Sequence, residues 1–122
     1  MKRIAATIIS LFLFVPALAF SAASISEAKV GKGIADRELT EESAIFALNE
    51  TAYVWMRVVG GNGEAVTVTW SNGDQSFEVL LSIGSDSWRT WSSKILHLAG
   101  EWTVTVTDAA GATLYQSTLT VQ

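Results

Sequence analysis

Few residues of this chain could do covalent chemistry. There is one histidine, His97, and no cysteine in 122 residues. An activated nucleophile needs a base beside it, and His97 stands in Leu96-His97-Leu98 with no Ser or Asp at a triad's spacing. No residue is therefore assigned a catalytic role, and no enzyme activity is expected. One imidazole without thiolates cannot fill a zinc shell. Asp86, in Gly84-Ser85-Asp86-Ser87, and Asp108 lack the ligand density of a calcium loop. No metal and no cofactor are expected. A glycosidase needs two carboxylates across a cleft; Glu64, Asp74, Glu78, Asp86, Glu101 and Asp108 offer pairs, but acidic turns and wet strand faces account for them. Gly60-Gly61-Asn62-Gly63 lacks the Lys and helix that follow a phosphate loop, so it is a hairpin turn.

What remains is recognition by aromatic and cationic side chains. Residues 88–106 hold three of the five Trp: Trp88-Arg89-Thr90-Trp91-Ser92-Ser93-Lys94, then Gly100-Glu101-Trp102-Thr103-Val104-Thr105-Val106. Successive strand residues point to opposite faces, so Trp88 and Trp91, three apart, face opposite ways. The same alternation groups Tyr53, Trp55 and Arg57 on one face and Val54, Met56 and Val58 on the other. A binding face of Tyr53, Trp55, Arg57, Arg89 and Trp91 follows. Exposed rings beside a guanidinium can stack on a sugar or anchor a protein partner. The competing reading places Trp55 with Trp70, Trp88 and Trp102 in the core, with an Arg stacked on an indole as packing.

The elements that would position these residues are strands. Residues 64–70 alternate, with Val66, Val68 and Trp70 on one face. Asn72-Gly73 is a strong hairpin signal, since a type I′ turn needs positive φ at both central residues. Phe77, Val79, Leu81 and Ile83 then face inward, as do Trp102, Val104 and Val106. The Thr residues opposite them, at 67, 69, 103, 105, 107, 118 and 120, fit a wet sheet better than an ordered-water surface. A helix over residues 40–48, capped by Thr40, is the minor alternative to strand there. About seven short strands, with a turn roughly every eight to twelve residues, predict an all-β, immunoglobulin-like antiparallel β-sandwich over residues 33–122. Residues 24–32 read as a flexible lead-in.

Gly33-Ile34 through Arg37-Glu38, Tyr53-Val54-Trp55, Trp70, the Trp88–Lys94 block, Gly100-x-Trp102-x-Val104 and Gly111-x-x-Leu114 together resemble the bacterial family catalogued as domain of unknown function 2914. The family pattern often has His where this chain has Val68, and Pro where it has Ala99. The resemblance therefore implies no shared His-based site. It implies an exported β-sandwich and no known activity.

The first residues fit that compartment. Met1-Lys2-Arg3, an apolar run from Ile4 to Leu18, and the small residues Ala17-Leu18-Ala19 and Ser21-Ala22-Ala23 make a secretory signal peptide over residues 1–23. The run is short for a membrane span, which needs about 20 apolar residues. A membrane association would come only through an uncleaved leader. Without the leader, six basic residues face 12 acidic ones, a balance opposed to nucleic acid and to anionic lipid.

The sequence thus predicts a periplasmic or secreted binding or accessory module of the cell envelope. An envelope protein is the expected partner, and a carbohydrate or peptidoglycan fragment is the alternative. The alternatives differ in what they require. Protein recognition requires an apolar patch or open sheet edge, sugar recognition two open coplanar rings, and a hydrolase a pocket of converging titratable groups.

Overall fold

A computed structural model of the protein describes residues 23–122. The signal peptide expected over residues 1–23 lies, but for Ala23, outside the described residues. Nine strands form: β1 (Ser24–Ala35), β2 (Glu38–Glu42), β3 (Ile45–Phe46), β4 (Thr51–Val59), β5 (Ala65–Asn72), β6 (Gln75–Ser82), β7 (Ser87–Ile95), β8 (Gly100–Thr107) and β9 (Thr113–Val121). They make a four-stranded sheet, in the order β2-β1-β4-β7, and a five-stranded sheet, in the order β3-β9-β8-β5-β6. The pairing of β4 with β7, and of β5 with β8 and β9 in turn, is the immunoglobulin-like arrangement of strands B–E against C–F–G. All pairs are antiparallel except β3 with β9, which is parallel.

Alternation builds the core. Val54, Met56 and Val58 of β4 face Val66, Val68 and Trp70 of β5 and Trp102, Val104 and Val106 of β8, all fully buried. Fully burying a side chain of this size contributes about 1.5–3 kcal/mol, and with no disulfide possible this packing is what holds the sheets together. Trp70 and Trp102 are core residues, as their strand positions predict. Both indoles keep a hydrogen bond: Trp70 Nε1 donates to Ser92 Oγ (3.3 Å) and Trp102 Nε1 to the Leu98 carbonyl (2.9 Å).

The expected lead-in is the main correction. Residues 24–32 belong to β1, a 12-residue strand that pairs with β4 from Ser24↔Val59 to Gly31↔Tyr53. Its alternation is hidden because the register shifts between Ile25 and Glu27. Ile25 packs on the core before the shift, Ala28 and Val30 after it, so one bulge moves the apolar set from odd to even positions. The helix considered over residues 40–48 does not form. There the chain finishes β2, turns, and makes two parallel pairs, Ile45↔Thr120 and Phe46↔Val121. Phe46 alone of that apolar run is buried.

Three backbone bonds extend the β3–β9 contact: Thr120 N to Ala44 O, Gln122 N to Phe46 O and Leu48 N to Gln122 O. Glu50 closes the turn into β4. Its carboxylate accepts the Ala47 N–H at 2.8 Å and lies 3.3 Å from Lys32 Nζ. The Ala47 N–H is the largest cause and, together with the Lys32 ammonium, holds the carboxyl below the ordinary glutamate range against the opposing cost of desolvation. A depressed folded-state value means the stabilisation is present above the unfolded glutamate value and disappears as pH falls through the folded one. Urea midpoints of the protein and of Glu50→Gln should differ near pH 7 and converge on acidification. A gap that stays constant down to pH 3 would show that the turn draws nothing from this charge.

Candidate functional site

The five candidate residues do come together. The β4–β7 register sets Tyr53 opposite Ser93, Trp55 opposite Trp91 and Arg57 opposite Arg89, all on the outer face of the four-stranded sheet. Strand alternation therefore identifies the face correctly. It does not show what covers it. Trp55 is fully buried, although it stands apart from the inter-sheet core. A candidate contact ring, or a core ring in the competing reading, it is neither: it is enclosed on the outside of the sandwich.

The cover is the β1–β2 hairpin. Ala35 pairs with Glu38, leaving Asp36 and Arg37 as a two-residue turn with φ of 53° and 64°. Such a turn ordinarily takes Asn-Gly, because positive φ is strained for most side chains and least costly for Gly and Asn. Three contacts at this turn oppose that strain. Trp55 Nε1 donates to the Arg37 carbonyl at 2.8 Å. The Arg37 guanidinium donates to the Arg89 carbonyl at 3.3 Å. Arg89 in turn pairs with the Glu38 carboxylate.

Cations ring the same site. Lys29 Nζ and the Arg57 guanidinium carbon lie 5.4 and 5.9 Å from the Trp55 ring centre. The Arg37 guanidinium carbon is 5.8 Å from the Trp88 ring and 5.9 Å from Trp91. Tyr53, Arg57, Arg89 and Trp91 are each half-buried. Trp55, Trp91, Arg57 and Arg89 are thus held in a clasp in which cations and rings partner one another. Trp88 takes the inner side of β7, opposite Val58, and is half-buried against the core.

Two glycines let the hairpin lie so close. A Cβ on Gly31 would stand 2.8 Å from the carbonyl oxygens of both Thr40 and Glu41, and one on Gly33 would meet Thr40 Oγ1 at 2.6 Å. Gly31-Lys32-Gly33 was the signal in the sequence for a strand that must be approached closely.

The other edges of the sheets differ in how they are guarded. Edge strands are protected from pairing with other chains by shortness, charge or irregularity. The β2 strand has five residues and a positive φ at Glu41; β3 has two residues; β7 has Arg37 on its Arg89 carbonyl. In contrast β6 runs for eight residues with Glu78 as its one charged side chain and no Lys, Arg or Pro, and among the described residues it pairs only with β5. Phe77, Val79 and Leu81 share a face with the inward residues of β5, as expected, but cover over them is partial. Val79 is 38% exposed, and Leu80, on the opposite face, is 71% exposed. The run Val79-Leu80-Leu81 already breaks the alternation, and that break marked an apolar side chain on the wet face.

His97 joins an aromatic cluster at one end of β6 and β8. Its ring is edge-on to Phe77 and Trp102, with centroids at 5.7 and 5.8 Å, and Lys94 Nζ lies 3.7 Å from the Phe77 ring centre. These contacts give the imidazole a packing role. A cavity of about 180 Å³ opens between β1 and β9, lined by Lys29, Val30, Glu42, Ser43, Tyr115 and Ser117 among others. It holds neither the imidazole nor any of the rings of the clasp. Among the described residues no three of His, Cys, Asp or Glu gather as a metal site.

The chain is similar to a family described as Protein of unknown function (DUF2914), whose model matches residues 63–121. The matched stretch takes in Trp70, the Trp88–Lys94 block, Gly100, Trp102, Val104 and Gly111; Gly33 to Glu38 and Tyr53 to Trp55 lie before it. No curated protein matches the chain. Among solved structures, it is similar to the Pseudomonas fluorescens alkylpurine DNA glycosylase AlkC, bound to DNA containing an abasic site analog. The TM-score is 0.54 at 11% identity, over 87% of this chain and 32% of that one. At that identity the likeness is one of fold, and this chain spans about a third of that protein's length.

Proposed function

We propose that this protein is an exported, non-catalytic binding module of the bacterial cell envelope that docks a protein partner along the edge of β6. One observation carries the reading: an eight-residue strand edge guarded only by Glu78, with Val79 and Leu80 exposed beside it. An extended segment added there gains main-chain hydrogen bonds, while alternate side chains supply specificity. Export rests on the basic start, apolar run and small-residue tail of residues 1–23.

The carbohydrate alternative needs two open rings, and Trp55 is enclosed beneath Arg37. The clasp fits a structural role better: it fastens the long β1–β2 hairpin to the sheet. On this reading Trp55, Arg57, Arg89 and Trp91 serve to hold the hairpin.

Photo-activatable cross-linking side chains test the reading in intact cells, placed singly at Leu80, at Thr105 in mid-sheet, and at Arg57 on the clasp face. Protein adducts are expected from position 80 and not from 105 or 57. They should disappear when Val79→Lys sets an inward charge on the edge. Adducts from position 57 alone, or adducts at 80 that survive Val79→Lys, would move the docking site away from β6.

A further inference from the structure

Charge is divided between the two sheets. All six cations of the described residues, Lys29, Lys32, Arg37, Arg57, Arg89 and Lys94, lie on β1, its turn, β4 and β7. The five-stranded sheet and the loops at its strand ends carry Glu50, Glu64, Asp74, Glu78, Asp86, Glu101 and Asp108 and no Lys or Arg. The free edge therefore belongs to the half of the molecule that holds its whole negative excess. Glu78 stands on the outer face of β6, opposite Thr69, and Leu80 is opposite Thr67.

We infer that the partner strand is basic: an extended segment in which apolar side chains alternate with Lys or Arg. This rests on the reading of β6 as the docking edge and adds the chemistry of what docks. In a strand laid beside β6, one set of side chains falls next to Phe77, Val79 and Leu81, where the surface is apolar and half-covered. The other set falls next to Ser76, Glu78, Leu80 and Ser82. A long basic side chain suits that second row, because its methylenes cover Leu80 while its charged head reaches Glu78. Directly opposed cross-strand residues have Cβ atoms about 4.5–5.5 Å apart, so a cation there can meet the carboxylate; the Lys94 ammonium lies on the Phe77 ring, on the other row of β6. A second copy of this chain is a poor occupant. Pairing two β6 edges brings together two sheets that each carry only negative charge, and like-charge juxtaposition opposes association.

Three nine-residue peptides separate the possibilities, each alternating Val with Lys, with Ser or with Glu. They are titrated into the purified protein, with hydrogen exchange followed at those β6 amides that point away from β5. The Lys peptide should protect these amides and bind at least tenfold more tightly than the Ser peptide, with the advantage shrinking in high salt. Glu78→Gln should bring the two peptides together, and N-methylation of alternate Lys-peptide amides should abolish protection. Equal protection by the Lys and Ser peptides would leave β6 as a docking edge and overturn the basic partner. No protection by any peptide would overturn both. Protection by the Lys peptide away from β6 would reduce its binding to unspecific charge. A β6 already protected in the protein alone, with a dimer on sedimentation, would make the occupant a second copy and overturn the inference.

Discussion

Replacing Trp55 by Ala is expected to destabilise the domain by about 3–5 kcal/mol, the usual cost of deleting a buried large aromatic. The residue is not part of the inter-sheet core cluster, so the loss would come from the outside of the sandwich. Three effects add. The indole loses its burial, the Arg37 carbonyl loses the N–H that bonds it at 2.8 Å, and the turn at Asp36-Arg37 loses a contact that opposes its strain. Trp55→Phe separates them, since it keeps most of the ring and removes only the donor; it should cost about 1–3 kcal/mol. Urea denaturation gives the stabilities, and hydrogen exchange at residues 36–40 shows whether the hairpin has been released. A Trp55→Ala protein within 1 kcal/mol of the parent, with those amides unchanged, would mean that the hairpin is held by something other than the clasp.

Gly31→Ala is expected to cost up to about 3 kcal/mol through overpacking. The added methyl would sit 2.8 Å from two backbone oxygens and 2.9 Å from Leu39 Cδ2. Leu39 can turn aside; the Thr40 and Glu41 carbonyls cannot move without taking β2 with them. The test is a comparison with Gly73→Ala, where no atom lies within 4 Å of the new Cβ and only the positive φ of 57° opposes the change. Gly31→Ala should be the more damaging and should loosen Trp55, seen as a red-shifted tryptophan emission. Equal losses without that shift would show that the close approach of β2 is not what matters at position 31.

The strands were legible wherever burial is one-sided and uninterrupted. β5 and β8 alternate without a break, so Trp70 and Trp102 could be placed in the core from spacing alone. The register of β1 was not legible, because one irregularity near Glu27 inverts its phase and makes a regular strand look like a polar lead-in. The β3 strand escaped because two parallel pairs leave no periodic trace. For the candidate site, alternation established which side Tyr53, Trp55, Arg57, Arg89 and Trp91 share. It is silent on what lies above that side, since the cover for Trp55 comes from Arg37, 18 residues earlier. The open edge of β6 was half-legible. Val79-Leu80-Leu81 announces an apolar residue out of phase, but only the strand order makes β6 an edge.

The parallel contact between β3 and β9 has a mechanical consequence. Tension that draws β9 toward its C-terminal end, against an anchor on the N-terminal side of β3, slides the two strands past each other lengthwise. The three bonds among Ala44, Phe46, Leu48, Thr120 and Gln122 are then strained together, in shear, instead of peeling open one at a time. Two residues of strand thus act as a latch, and the sandwich resists being drawn out by that end more firmly than so short a strand suggests.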